Sequence, residues 1–235
     1  MRIQSLASSS KGNCYLISDG SSHLLVECGI LLKEIRQKGV DLTALAGCLI
    51  SHEHKDHSKA AKSIIKYTNI YTSAGTLKHL ELGVYSYRAS AVTAGKKFKV
   101  GSFDVMPFAT EHDAAEPLGF LIYSTKNKKR LVFATDTYYI RNRFKKLDYI
   151  MIECNFDEDL LKKADENGWI NKSVAKRYWS SHFELSNVIK FLKAQDLSKV
   201  EAIYLLHLSD GLSDEIRFKK TIMEATGCPV YVCEK

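Results

Sequence analysis

Six residues constrain this chain more than any others. Positions 52–57 read His52-Glu53-His54-Lys55-Asp56-His57, directly after the apolar run Gly47-Cys48-Leu49-Ile50-Ser51. Three of the eight histidines in 235 residues fall here, beside two acids. Imidazole nitrogen and carboxylate oxygen suit zinc and similar divalent ions. If the segment turns from strand into helix, His52 and His54 can face one ion while Asp56 and His57 face another. Two ions about 3.5–4 Å apart form a clamp suited to hydrolysis.

Three further donors sit at the ends of apolar runs: His112 after Phe103–Phe108, Asp136 after Leu131–Ala134, and His207 after Ala202–Leu206. Loops at strand ends gather sites over a rigid sheet in this way. The first half reads as short strands at Ile3–Leu6, Cys14–Ser18, Leu24–Cys28 and Gly47–Ser51. Helices are expected at Ile30–Gly39, Ser58–Tyr67 and Ala74–Gly83, with a short strand at Ile70–Thr72. The second half adds a strand at Leu118–Tyr123, another at Tyr149–Glu153 and a last one at Val230–Val232. Helices are expected at Asp157–Gly168, Glu184–Ala194 and Asp214–Thr226. This mixture predicts an α+β fold with two packed sheets covered by helices, a four-layer αββα sandwich. No Pro/Gly/Ser-rich linker divides the chain, so residues 1–235 are expected to form a single domain.

The cluster resembles the H-x-H-x-D-H signature of the metallo-β-lactamase superfamily. That resemblance implies that His52, His54 and His112 hold one metal, that Asp56, His57 and His207 hold the second, and that Asp136 bridges them. The cofactors implied are two divalent ions, zinc or manganese. A closer resemblance, covering nearly the whole chain, is to the YycJ/WalJ-type branch, associated with DNA exonuclease activity. Ser8-Ser9-Ser10-Lys11-Gly12-Asn13 is similar to its S-G-S-x-G-N loop. His112-Asp113-Ala114-Ala115-Glu116-Pro117-Leu118-Gly119 is similar to its H-D-A-x-E-P-x-G stretch. Glu153-Cys154-Asn155-Phe156-Asp157, Ser181-His182-Phe183-Glu184-Leu185-Ser186-Asn187 and His207-Leu208-Ser209 resemble further stretches of it. Three positions depart from the pattern: Glu27 stands where the branch has Asp, Phe156 where it has His, and Phe183-Glu184 where it has a tighter turn. A long inserted β-CASP domain is excluded, because only 70 residues lie between Asp136 and His207.

The expected reaction is hydrolysis by a water activated between the two ions. Asp56 orients that water or takes its proton, and His182 contacts the scissile phosphate or protonates the leaving oxygen. Ser9, Ser10 and Asn13 are candidates for cradling a phosphate, against the alternative that their loop is a plain β-turn. The net charge of +7 suits a polyanionic partner. Arg141-Asn142-Arg143-Phe144-Lys145-Lys146 and Lys172–Trp179 interleave cations with aromatics, as nucleic-acid contacts require. Nucleic acid, with DNA first, is therefore the expected partner. The competing reading is a small-molecule hydrolase acting on a cyclic phosphodiester, thioester or lactone. A di-iron redox protein is disfavoured because His54 is not a carboxylate. A catalytically dead binding module is disfavoured because all seven ligand positions are filled. Six cysteines without a C-x-x-C pair, and no leader at Met1-Arg2-Ile3-Gln4, predict free thiols in the reducing cytoplasm. No apolar run approaches membrane-spanning length, and oligomeric state is not written in the sequence.

Overall fold

The computed structural model describes residues 1–234. The chain forms two compact units, one of residues 1–109 and 114–129 with the C-terminal end, the other of residues 110–113 and 130–233.

In the first unit, β1 (Arg2–Ser9) and β2 (Gly12–Ser18) form an antiparallel hairpin, and β2 pairs antiparallel with β3 (His23–Val26). Helix α1 (Leu32–Gln37) leads to β4 (Leu45–Leu49). Two short helices, α2 (Lys55–Ser58) and α3 (Ala61–Ile64), precede β5 (Ile70–Thr72). The helix α4 (Ala74–His79) and a 3₁₀ turn at Gly83–Arg88 lead to β6 (Ala89–Ala91). The six strands pair in chain order, with β3 through β6 parallel. A second, antiparallel ladder joins β7 (Phe98–Val100), β8 (Phe103–Ala109) and β9 (Leu118–Ser124). Asp19, in the β2–β3 turn, ties this ladder to the first sheet: its Oδ2 accepts from Ser102 Oγ and Ser124 Oγ, both at 2.6 Å.

In the second unit, β10 (Arg130–Ala134), β11 (Tyr149–Glu153), β12 (Ala202–Leu206) and β13 (Val230–Val232) form a parallel ladder. Strands β10 and β11 read as continuous apolar runs because they are almost wholly buried, as parallel strands covered on both faces are. The helices are α5 (Glu158–Glu166), α6 (Lys172–Ser181), α7 (Leu185–Lys193) and α8 (Glu215–Thr226). Asp157, Asn171, Glu184 and Asp214 cap their N-termini through side-chain oxygens, which stops each helix where the sequence turns polar.

Two helix expectations are corrected. The stretch 58–67 is not one helix, because the Ala60 amide donates to Cys28 O at 2.8 Å instead of back along the chain, and this splits α2 from α3. The stretch 74–83 holds only the short α4, which ends at a Leu80 in extended conformation. Helix α6 and strands β6 and β7 lay outside the sequence expectation. All six cysteines are buried and free, and no helix is long and apolar enough to cross a membrane.

Candidate metal centre

Each unit carries its own half of the seven-residue pattern. In the first, β3 and β4 are parallel neighbours with Val26 opposite Leu49, so their C-terminal ends deliver Glu27 and the 52–57 cluster to one edge. The His52 and His54 rings meet there, His52 Nε2 lying 3.1 Å from His54 Nδ1. Two ring nitrogens at that spacing face a common point. Ser51 Oγ holds the other nitrogen of His52 at 2.8 Å. Within α2, His57 Nε2 lies 3.2 Å from Asp56 Oδ2.

Glu27 supports this half from beneath. It is fully buried; its Oε1 accepts the Ser51 amide at 3.0 Å, and its Oε2 lies 3.4 Å from His57 Nδ1. Burial raises its pKa, against the pull of His57 and Ser51. A carboxylate on Nδ1 fixes the ring so that Nε2 faces the ligand side. Glu27 adopts a left-handed backbone, φ 62°.

Ser9, Ser10 and Asn13 form a tight hairpin turn with Ser9 opposite Gly12. The Lys11 amide is taken by Ser9 Oγ at 3.2 Å. Asn13 is buried and turns inward: its Nδ2 donates to Ser9 O (3.0 Å) and lies 3.2 Å from His57 Nε2. In this structure Asn13 therefore braces α2, and of the three only Ser10 is exposed at the tip.

In the second unit, Asp136, Glu153 and His207 stand at the C-terminal ends of three adjacent parallel strands, the edge where open α/β sheets build their sites. Asp136 divides its carboxylate: Oδ1 lies 2.6 Å from His207 Nδ1, and Oδ2 lies 3.5 Å from His112 Nε2. His112 Nδ1 donates to Ser181 O at 3.0 Å. Because a carbonyl only accepts, that bond leaves Nε2 as the basic nitrogen. Burial lowers the His112 pKa, which keeps the ring neutral and able to ligate.

His182 was expected as a catalytic residue from sequence, and the structure places it beside Glu153, with Nδ1 2.7 Å from Oε1. The same Glu153 oxygen lies 3.2 Å from His207 Nδ1. Ligand atoms of Asp136, Glu153, His182 and His207 all lie within 4.8 Å of one another. Burial alone would lower the His182 and His207 pKa values, but the neighbouring carboxylates raise both, His207 to about 10. Burial alone would raise Glu153, and the His182 charge holds it low. Two buried carboxylates that keep protons on adjacent imidazoles are a donor set in which a divalent cation would take the place of those protons. The residues present therefore fit a metal.

Glu153 was quoted in sequence motifs but not expected in the site. Its signal was an acid closing an otherwise apolar strand. Phe156 is explained by packing: fully buried, it meets Tyr178 and Trp179 edge-on at 5.5 and 5.1 Å. The aromatics of the Lys172–Trp179 segment are thus engaged with Phe156. Phe183 is buried as well, its amide reaching Glu153 Oε2 at 3.3 Å, and Glu184 caps α7 through its side chain.

Residues 24–208, drawn from both units, match the family model described as the Beta-lactamase superfamily domain. The chain belongs to that superfamily. The exodeoxyribonuclease YycJ of Bacillus anthracis is 27% identical over 219 residues, 87% of this chain and 81% of its own length. The exodeoxyribonuclease WalJ of Streptococcus pneumoniae is 31% identical over 228 residues, 87% of this chain and 80% of its own. Among solved structures, the metallo-β-lactamase fold protein YhfI of Bacillus subtilis aligns with a TM-score of 0.77 at 16% identity, over 99% of this chain and 95% of its own. Human tRNase Z, short form, aligns at 0.67 and 14%, over 100% and 97%. The expected α+β metallo-β-lactamase fold is therefore borne out, and the chain is a metallo-hydrolase of this superfamily.

Proposed function

We propose that the chain is a dinuclear, metal-dependent phosphodiesterase that degrades DNA as an exonuclease, with His52, His54, Asp56, His57, His112, Asp136 and His207 as ligands. The observation that carries the two-metal reading is the divided carboxylate of Asp136, one oxygen toward His112 and the other toward His207. Such a carboxylate is suited to being shared between two ions. When bound, zinc or manganese ions supply Lewis acidity and an activated water. Asp56 would orient an attacking water or accept a proton from it. His182 presents Nε2 to the scissile phosphate or the leaving oxygen, because Glu153 holds Nδ1. Glu153 is a positioning residue that also sustains the proton on His182. Asn13 holds the His57 side of the site, and Ser10 is left to approach a phosphate. The nuclease reading is supported by the two exodeoxyribonuclease relatives across 87% of the chain.

The test is incubation of protein reconstituted with Zn²⁺ or Mn²⁺ with end-labelled single- and double-stranded DNA and RNA, beside bis-p-nitrophenyl phosphate and the Asp56→Ala and Asp136→Asn variants. Stepwise loss of nucleotides from one polymer end, absent in both variants, is the expected result. Turnover of the small diester alone would move the substrate to a small molecule. No turnover of any phosphodiester would overturn the proposal.

A further inference from the structure

Two segments of the second unit leave the centre side by side. One runs from Asp136 through Tyr138 to Arg143, the other from His182 through Phe183 into α7. Together they line a groove of about 410 Å³, the scale of a site for one small organic ligand. Its floor is apolar, with Ile140, Phe183 and Phe191 all buried. Its rim is not: Tyr138 and Tyr139 are 40% and 53% exposed, and Arg141, Arg143 and Lys190 line it with no Asp or Glu among the lining residues. Arg141 is paired with Glu111 at 2.8 Å. Arg143 has no ion-pair partner among the described residues, and Lys190 donates only to the neutral Asn187 amide at 3.2 Å. Two cations without counter-charge beside exposed aromatic rings call for a ligand that is both anionic and flat.

We infer that this groove seats one nucleotide of a single-stranded nucleic acid, its base stacked on Tyr139 and its phosphate between Arg143 and Lys190. The inference rests on the nuclease reading and adds a strand preference to it. Inside a duplex both faces of a base are covered by its neighbours, so a base stacked on a tyrosine face is unpaired or at a strand end. Both segments that line the groove begin at residues of the candidate site, Asp136 and His182.

The test is fluorescence anisotropy of the holoenzyme with a labelled, phosphorothioate-linked oligo-dT of about 12 nucleotides across a salt series, with cleavage of the unmodified oligonucleotide followed in parallel. Arg143→Glu with Lys190→Glu should weaken binding at least about tenfold and flatten the slope of log Kd against log salt by about 0.7, the one phosphate of a single strand that the two cations share. Tyr139→Ala should weaken binding about fivefold or more with the slope unchanged. Lys62→Glu with Lys66→Glu, exposed cations of the first unit, should bind as wild type. If the charge-reversed protein fails to fold by thermal melt, the exposed Tyr139 ring carries the test by itself. Wild-type binding in both groove variants, while the wild type binds and cuts DNA, would overturn the groove assignment and leave the nuclease reading standing. A wild type that neither binds nor cuts any polymer would overturn both.

Discussion

Gly29→Ala tests how tightly α2, which carries two of the proposed metal ligands, is seated. A Cβ at Gly29 would lie 1.6 Å from Asp56 O, 2.2 Å from Asp56 C and 2.8 Å from Asn13 N. All three are backbone atoms, so no side chain can swing aside. Reaching the 3.0 Å that real contacts respect requires the two segments to part by about 1.4 Å. They are stitched together by Cys28 N to His57 O (2.9 Å), Gly29 N to Asn13 O (2.8 Å) and Ala60 N to Cys28 O (2.8 Å). A shift of that size stretches these bonds beyond useful length, at about 1 kcal/mol each, on top of overpacking of about 1–3 kcal/mol. The expected loss is about 4–6 kcal/mol, or roughly 8–24 °C in Tm for a chain of this size. Differential scanning calorimetry reads the stability, and metal content after dialysis reads the displacement of Asp56 and His57. A variant melting within about 2 °C of wild type, with unchanged metal content, would refute the reasoning.

Glu27→Gln removes the charge that orients His57 while keeping an acceptor for the Ser51 amide, so metal affinity should fall about 10–100-fold in a chelator-competition titration; unchanged affinity would show that Glu27 only packs. Phe156→His restores the residue common in the resembling branch, but its pocket is walled by Leu161, Ala164 and Leu212 as well as the two aromatics. Burying an imidazole there should cost about 1–3 kcal/mol, and an equal or higher Tm would contradict that packing account. Asp19 sets an acid limit on the first unit: despite burial that opposes it, hydrogen bonds from Ser102, Ser124, Ser22 and Ser21 hold its pKa near 2. A depressed carboxylate pKa stabilises above the unfolded value near 4, and that stabilisation is lost as pH falls through 2. Allowing for screening at this partly exposed group, Asp19→Asn should lose about 1 kcal/mol at pH 7, and the gap to wild type should narrow between pH 4 and pH 2. A gap independent of pH would assign the effect to packing.

Much of this was legible because the proposed ligands sit at strand exits. Apolar runs ending at Leu49, Ala134 and Leu206 marked where the chain must turn, and the donors follow within a few residues. The unread parts depend on contacts that run across sequence. Ala60 looks helical in sequence, and only the Cys28 carbonyl reveals that its amide is needed elsewhere. Glu153 reads as the polar end of a strand until His182, 29 residues on, is found at its oxygen. Asn13 reads as a loop residue until the inward turn of the hairpin brings it to His57, 44 residues on. The Lys172–Trp179 segment reads as a nucleic-acid contact by composition, yet Tyr178 and Trp179 cover Phe156.

Among the described residues, five other than glycine adopt a left-handed backbone: Glu27, Lys128, Asp136, Lys146 and His207. Such a conformation costs a side-chain-bearing residue on the order of 1 kcal/mol, which glycine would recover. At Lys128 and Lys146 that recovery should come free, and these are natural positions for making the protein more heat-resistant. At Glu27, Asp136 and His207 the same exchange would relax the backbone but delete a buried group: Glu27 holds the Ser51 amide and faces His57, and Asp136 and His207 hold each other. There the lost contacts, at about 1–3 kcal/mol for each buried partner left unsatisfied, outweigh the relieved backbone, so a screen for heat resistance would keep these three residues for stability as well as for their proposed chemistry.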